Sequence, residues 1–177
     1  ETFRTLNNNE IRKLNDIAKK YNIKYQNKHK LDLVDEILSN VDVIPNSIVL
    51  AQAAIESGWG KSRFAKEYNA LFGEYTYDDS EGVIPLEREN GDTHLIKAFS
   101  SYSNSVESYF DNINSHYAYE DFRDIRNIMR KRNNFSNVNL LVNKLSTYAE
   151  DENYIKTIRQ VIKNFNFGIF DQKTISY

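Results

Sequence analysis

Apolar residues recur at three- and four-residue intervals over most of the chain, a spacing that predicts a succession of amphipathic helices. Leu6, Ile11, Leu14, Ile17, Ala18 and Tyr21 form one stripe behind Asn7–Asn9, a cluster able to cap a helix. Leu31, Leu33, Val34, Ile37 and Leu38 form a second stripe that ends near Asn40. Pro45-Asn46-Ser47 reads as a helix start, with Asn46 or Ser47 free to cap the first amides. The run from Ile48 to Ile55 is apolar nearly all round, broken only by Gln52, and a helix with so little polar face belongs in a core. Lys61 to Tyr68 continues the helical pattern. Between residues 72 and 100 the texture changes: Gly73, Gly82, Pro85 and Gly91 punctuate short β-prone pieces at Glu74–Tyr77, Val83–Leu86 and Thr93–Phe99. Asn90-Gly91 is a hairpin-turn signal. Helical spacing resumes at Ser103–Tyr117, Asp121–Arg132, Val138–Leu145 and Asn153–Phe165. The predicted fold class is mainly α (α+β), a helical domain with a small antiparallel β lobe.

Composition supports this reading. Six glycines and two prolines in 177 residues leave few tight turns. No linker, low-complexity tract or repeat divides the chain, so a single domain over 1–177 is expected, with 1–44 as a helical extension packed on it. Twenty-three basic against 25 acidic residues give a net charge of −2, which argues against a dedicated nucleic-acid binder. Cysteine is absent, excluding disulfides, thiolate metal sites and a cysteine nucleophile. His29, His94 and His116 show no metal-ligand spacing, so neither a metal nor another cofactor is expected; His116 reads as a hydrogen-bonded structural residue. No apolar stretch reaches the roughly 18 to 20 residues that span a bilayer. The start at Glu1, without a methionine or signal-like segment, suggests a trimmed or mature form, and a monomer is expected.

Glu56 is the sharpest chemical feature. It closes the apolar run and is followed by Ser57-Gly58-Trp59-Gly60. The two glycines can terminate the helix and open space before the carboxylate. Partial burial and the negative end of the helix dipole both disfavour the charged form, raising the pKa toward what a general acid needs. Trp59 beside it presents a flat apolar face suited to a sugar ring. The same residues would equally suit a solvent-reaching glutamate on a last helical turn.

The stretch Ala51-Gln52-Ala53-Ala54-Ile55-Glu56-Ser57-Gly58-Trp59-Gly60-Lys61-Ser62, followed by Asn69-Ala70-Leu71-Phe72-Gly73, resembles the signature of the family 73 glycoside hydrolases. Phe99-Ser100-Ser101-Tyr102 and Tyr148-Ala149-Glu150-Asp151-Glu152-Asn153-Tyr154 match as well. Within the family the likeness is to the Bax-like proteins, through Ile84-Pro85-Leu86, Ser105–Tyr109, Asn112–His116 and Arg123–Arg126. The resemblance runs from about residue 45 to the end. It implies a lysozyme-like fold, peptidoglycan glycan strands as substrate, cleavage after N-acetylglucosamine, and Glu56 as general acid. A periplasmic or secreted, wall-associated location follows from that substrate. A non-catalytic wall-binding domain and a lytic transglycosylase are the alternatives.

Glycoside hydrolases commonly pair two carboxylates. In the family a second glutamate lies a few residues before an Asn-Gly-like turn, which points to Glu87, with Glu89 as rival. Should neither reach the site, the substrate's own acetamido group could attack the anomeric carbon, oriented by Tyr148, which matches a family tyrosine. Tyr148 would otherwise be a core aromatic. Phe72, Tyr75, Tyr102 and Tyr154 are candidate groove residues by motif position, and Asn69 is a candidate amide partner for an acetamido group or for local backbone. Arg123, Arg126 and Arg130 share one helical face, expected either to be solvated or to meet anionic wall polymer.

Overall fold

The computed structural model describes residues 6–24, 26, 29–85, 93–135, 137–149 and 151–173. The chain divides into two compact units, one formed by residues 1–43 and 111–147, the other by 44–110 and 148–177.

The first unit opens with α1 (Asn8–Lys20) and α2 (Lys30–Asn40). Asn7 caps α1 by accepting from the amides of Asn9 and Glu10, while the Glu10 carboxylate accepts from the Asn7 amide at 2.8 Å, a reciprocal capping box. The apolar stripes of the two helices close on each other through Ala18, Ile23, Leu33 and Ile37. The unit continues through a short 3-10 turn (Tyr117–Tyr119), α6 (Glu120–Lys131) and α7 (Asn139–Val142). His116 has the structural role expected of it, its Nδ1 accepting from the Ala118 amide at 3.3 Å.

The arginine face of α6 corrects both readings made from the sequence. Arg126 is fully buried and Arg123 nearly so. Arg126 donates to the carbonyls of Asn40 at 2.6 Å and Asp42 at 3.0 Å and to Asn114 Oδ1 at 2.7 Å. Arg123 donates to Asn40 Oδ1 and to the carbonyls of Ile113 and His116. Arg130 clasps the Asp42 carboxylate with two bonds of 2.9 and 2.6 Å. The last carbonyls of a helix lack intrahelical partners, and a forked guanidinium satisfies several at once. The stripe is therefore an internal clamp on the end of α2.

The second unit is built on α3 (Asn46–Glu56), α4 (Arg63–Tyr68), α5 (Tyr102–Ser115, of which residues from 111 onward belong to the first unit) and α8 (Tyr154–Asn164). Neither Asn46 nor Ser47 caps α3 as expected. Asp171, in the 3-10 stretch Phe167–Lys173, supplies the cap instead: its Oδ1 accepts from the Ser47 amide at 2.8 Å, and Asn46 donates to the Phe170 carbonyl. Asn46 and Ser47 already lie inside the helix, whose N-cap position is taken by Pro45, so neither stands where its side chain can cap the first amides.

Three short strands, β1 (Tyr75–Thr76), β2 (Gly82–Val83) and β3 (Leu95–Lys97), form an antiparallel sheet in the order β1-β3-β2. Ile96 of β3 pairs with both Tyr75 and Val83. The Asn90-Gly91 turn lies outside the described residues. Gly82 is needed on steric grounds, since a Cβ there would sit 2.5 Å from that of Leu95. The expected fold class, helices with a small antiparallel sheet, is what forms. Among the described residues no helix is long and apolar enough to cross a membrane, and no cluster of three or more His, Asp or Glu side chains could hold a metal ion.

Candidate functional site

Helix α3 runs through the core of the second unit, with Ile48, Ala51 and Gln52 fully buried. Gln52 and Glu56 are four residues apart and share one face of it. The helix ends at Glu56 in an unusual way. Ser57 folds its hydroxyl back onto the Ala53 carbonyl at 2.6 Å, and then Gly58, Trp59 and Gly60 all take positive φ, at 57°, 58° and 71°. That conformation is free for glycine but strained for tryptophan. It turns the Trp59 amide back to the Ala54 carbonyl at 2.7 Å and leaves the indole 49% exposed, 4.3 Å from the ring of Phe165.

The Glu56 side chain is held from two sides. Tyr154, the first residue of α8, donates its hydroxyl proton to Oε1 at 2.7 Å. Behind Tyr154 stands Gln52, whose Nε2 donates to the Tyr154 oxygen at 3.0 Å, and behind Gln52 stands Tyr109 of α5, donating to Gln52 Oε1 at 2.7 Å. On the other side, Gly73 (φ +64°) approaches Oε2 so closely that an added Cβ would lie 3.4 Å from it. Burial raises the Glu56 pKa above the ordinary carboxyl value, and the Tyr154 hydrogen bond only partly offsets it. Among the described residues no lysine or arginine neutralises the carboxylate. The Tyr154 hydroxyl is pushed far above its usual range by burial and by the charge it faces, so it acts only as a neutral donor. A carboxylic acid with one oxygen engaged by a phenol and the other on its glycine-lined side is equipped to hold a proton and give it away.

Residues 31–167 match the glucosaminidase family, described as mannosyl-glycoprotein endo-beta-N-acetylglucosaminidase. The chain belongs to this family. Among curated relatives, protein bax of Escherichia coli K12 is 35% identical over 137 residues, covering 77% of this chain and 48% of bax. The peptidoglycan hydrolase FlgJ of Escherichia coli O157:H7 is 35% identical over 92 residues, covering 46% of this chain and 29% of FlgJ. The chain thus spans less than half the length of these two relatives. The fold is shared with the catalytic domain of the autolysin Auto from Listeria monocytogenes (TM-score 0.53, 18% identity, 96% of this chain and 92% of that one). It is shared as well with an N-acetylmuramoyl-L-alanine amidase from Staphylococcus aureus (TM-score 0.55, 21% identity, all of this chain and 50% of that one).

Set on this member of the glucosaminidase family, the sequence-derived candidates separate. Tyr154, expected as a groove residue, is the tyrosine on Glu56. Tyr148 lies one layer behind, its ring stacked parallel on that of Tyr154 at 5.8 Å and its hydroxyl donating to the Phe72 carbonyl at 2.9 Å. Burial and the nearby phenols and carboxylates raise its pKa well above the usual value. Phe72 is corrected from groove to core: it is 2% exposed and stacked on Tyr109 at 4.1 Å, so it has no face to offer a ligand. Asn69 takes the backbone alternative, closing α4 at φ 52° and donating to the Phe99 carbonyl at 2.9 Å. Tyr75 is exposed and stacks on His94 at 4.2 Å, and Tyr102 stands half-exposed at the start of α5. Glu87 and Glu89 lie outside the described residues. Gln52, Gly73 and Tyr109 went unremarked as site residues. For Gln52 a signal existed, since it is the lone polar side chain in an apolar helix and a buried amide requires partners.

Proposed function

We propose that this chain hydrolyses peptidoglycan, cutting the glycan strand after N-acetylglucosamine, with Glu56 as the general acid. The observation that carries the proposal is the Glu56 environment: a partly buried carboxyl, unpaired with any cation among the described residues, whose pKa burial raises. Glu56 then gives its proton to the glycosidic oxygen as the bond to the anomeric carbon breaks. Family membership supports glycoside hydrolysis, and the name of FlgJ supports the wall polymer as substrate. Glu87 is proposed as the second carboxylate, activating water or attacking the sugar. Tyr148 is proposed to serve the route in which the acetamido group itself attacks, by orienting that group. The exposed rings of Trp59, Tyr75 and Tyr102 are proposed to stack on pyranose faces. Action outside the cytoplasm follows from where peptidoglycan lies.

Digestion of purified peptidoglycan followed by mass spectrometry of the fragments tests the reading. New N-acetylglucosamine reducing ends are expected. Anhydromuramic ends would reassign the chain as a lytic transglycosylase, and the absence of soluble fragments would leave it a binding domain.

A further inference from the structure

The hydrogen bonds running from Tyr109 to Glu56 all point the same way, and that polarity has a chemical consequence. The Tyr109 hydroxyl gives its proton to Gln52 Oε1, so the Gln52 amide nitrogen must face Tyr154. A phenol has one proton and accepts through its lone pairs. With its oxygen accepting from Gln52, the Tyr154 proton is directed onto Glu56 Oε1. The geometry points to Gln52 as a positioning residue that makes Tyr154 a donor and thereby keeps the proton of neutral Glu56 on Oε2, the oxygen beside Gly73. This inference rests on the proposed role of Glu56 as acid and adds which of its oxygens delivers the proton.

The arrangement excludes an unproductive one. If the amide were reversed or absent, neutral Glu56 could donate its own proton to Tyr154, burying it where no glycosidic oxygen can collect it. With Gln52 as it stands, that state would turn the Tyr154 proton against an amide N–H, and two donors would face each other without an acceptor. Gln52 is fully buried, so bulk solvent does not compete for its amide. Among the described residues, the titratable groups that interact with Glu56 are Tyr154 from α8 and Tyr148 from the segment before α8; Tyr148 in turn faces Tyr109 from α5 and Glu74, whose carboxylate accepts from Ser108 at 2.9 Å.

The test is a carbon-13 NMR titration of the Glu56 carboxyl in the full chain, comparing the native protein with Gln52→Met, Tyr154→Phe and the double variant. Tyr154→Phe is expected to move the Glu56 midpoint upward, and Gln52→Met to move it the same way by less. In the Tyr154→Phe background Gln52→Met is expected to add nothing, because Gln52 acts only through Tyr154. Turnover on soluble glycan should fall about tenfold in Gln52→Met with KM held within about twofold. Additive midpoint shifts, or a Gln52→Met midpoint equal to the native one, would overturn the inference. Should Gln52→Met not fold, Tyr109→Phe, which frees the amide to reverse, must lower kcat with KM unchanged; native turnover there would be equally fatal. The titration needs no catalysis, so an inactive chain with the expected midpoints would sink the hydrolase reading while leaving the Gln52–Tyr154 coupling intact.

Discussion

Burial and a phenol hydrogen bond pull on Glu56 in opposite directions, and burial wins. The sign matters for stability as well as for chemistry. Below the ordinary carboxyl range both the folded and the unfolded chain hold this proton, and the group is neutral in the balance. As pH rises past the unfolded value, the unfolded chain releases its proton first, so the folded state loses ground through the window between the two values. Glu56→Gln, whose amide oxygen can still accept from Tyr154, should therefore unfold at a higher temperature than the native protein near pH 7 and at the same temperature near pH 3. Each kcal/mol relieved corresponds to about 2 to 4 °C in a chain of this size. A thermal melt at the two pH values checks this. Tyr148→Phe should depress turnover while the fold persists. The orphaned Phe72 carbonyl costs about 1 to 3 kcal/mol, read by denaturant titration. Unchanged turnover would remove Tyr148 from the mechanism.

At the scale of elements, α3 depends on a cap brought from the far end of the sequence. Asp171→Ala should lower stability by about 1 kcal/mol, measured by urea unfolding, and Asp171→Asn by less. Gly73→Ala meets a left-handed backbone, and its methyl would touch Glu56 Oε2 at 3.4 Å. It should cost about 1 to 2 kcal/mol and reduce kcat more than it alters KM, as steady-state kinetics will show. The helix itself was legible in the sequence because periodicity is local: an unbroken apolar face, then Glu56 and two glycines. Its cap was not, because a side chain 124 residues away carries no local trace. The same holds for the tyrosine on Glu56, which comes from 98 residues downstream. Motif position brought both Tyr148 and Tyr154 into view, but which hydroxyl meets the carboxylate depends on how α8 packs on α3.

At the scale of the whole molecule, spacing alone misread the arginine stripe. Three arginines on one helical face look solvated by their chemistry, and only the end of α2 explains why Arg123 and Arg126 are buried and Arg130 is half-buried against Asp42. Arg126→Met should destabilise the chain by at least about 3 kcal/mol, since it strands the carbonyls of Asn40 and Asp42 together with Asn114. Arg126→Lys should recover only part of this, because an ammonium lacks the guanidinium fork; equilibrium unfolding of both variants settles the comparison. Family-level identity, by contrast, was open to reading from the chain, because the segment that ends α3 holds both Glu56 and the backbone turn that exposes Trp59.

The measurement that bears most directly on the central claim is the rate at which Glu56→Gln solubilises purified peptidoglycan, beside its binding to the same material. A loss of about 100- to 10,000-fold in rate with binding retained is the predicted result. Lysis at a rate close to that of the native chain would contradict the assignment of the acid.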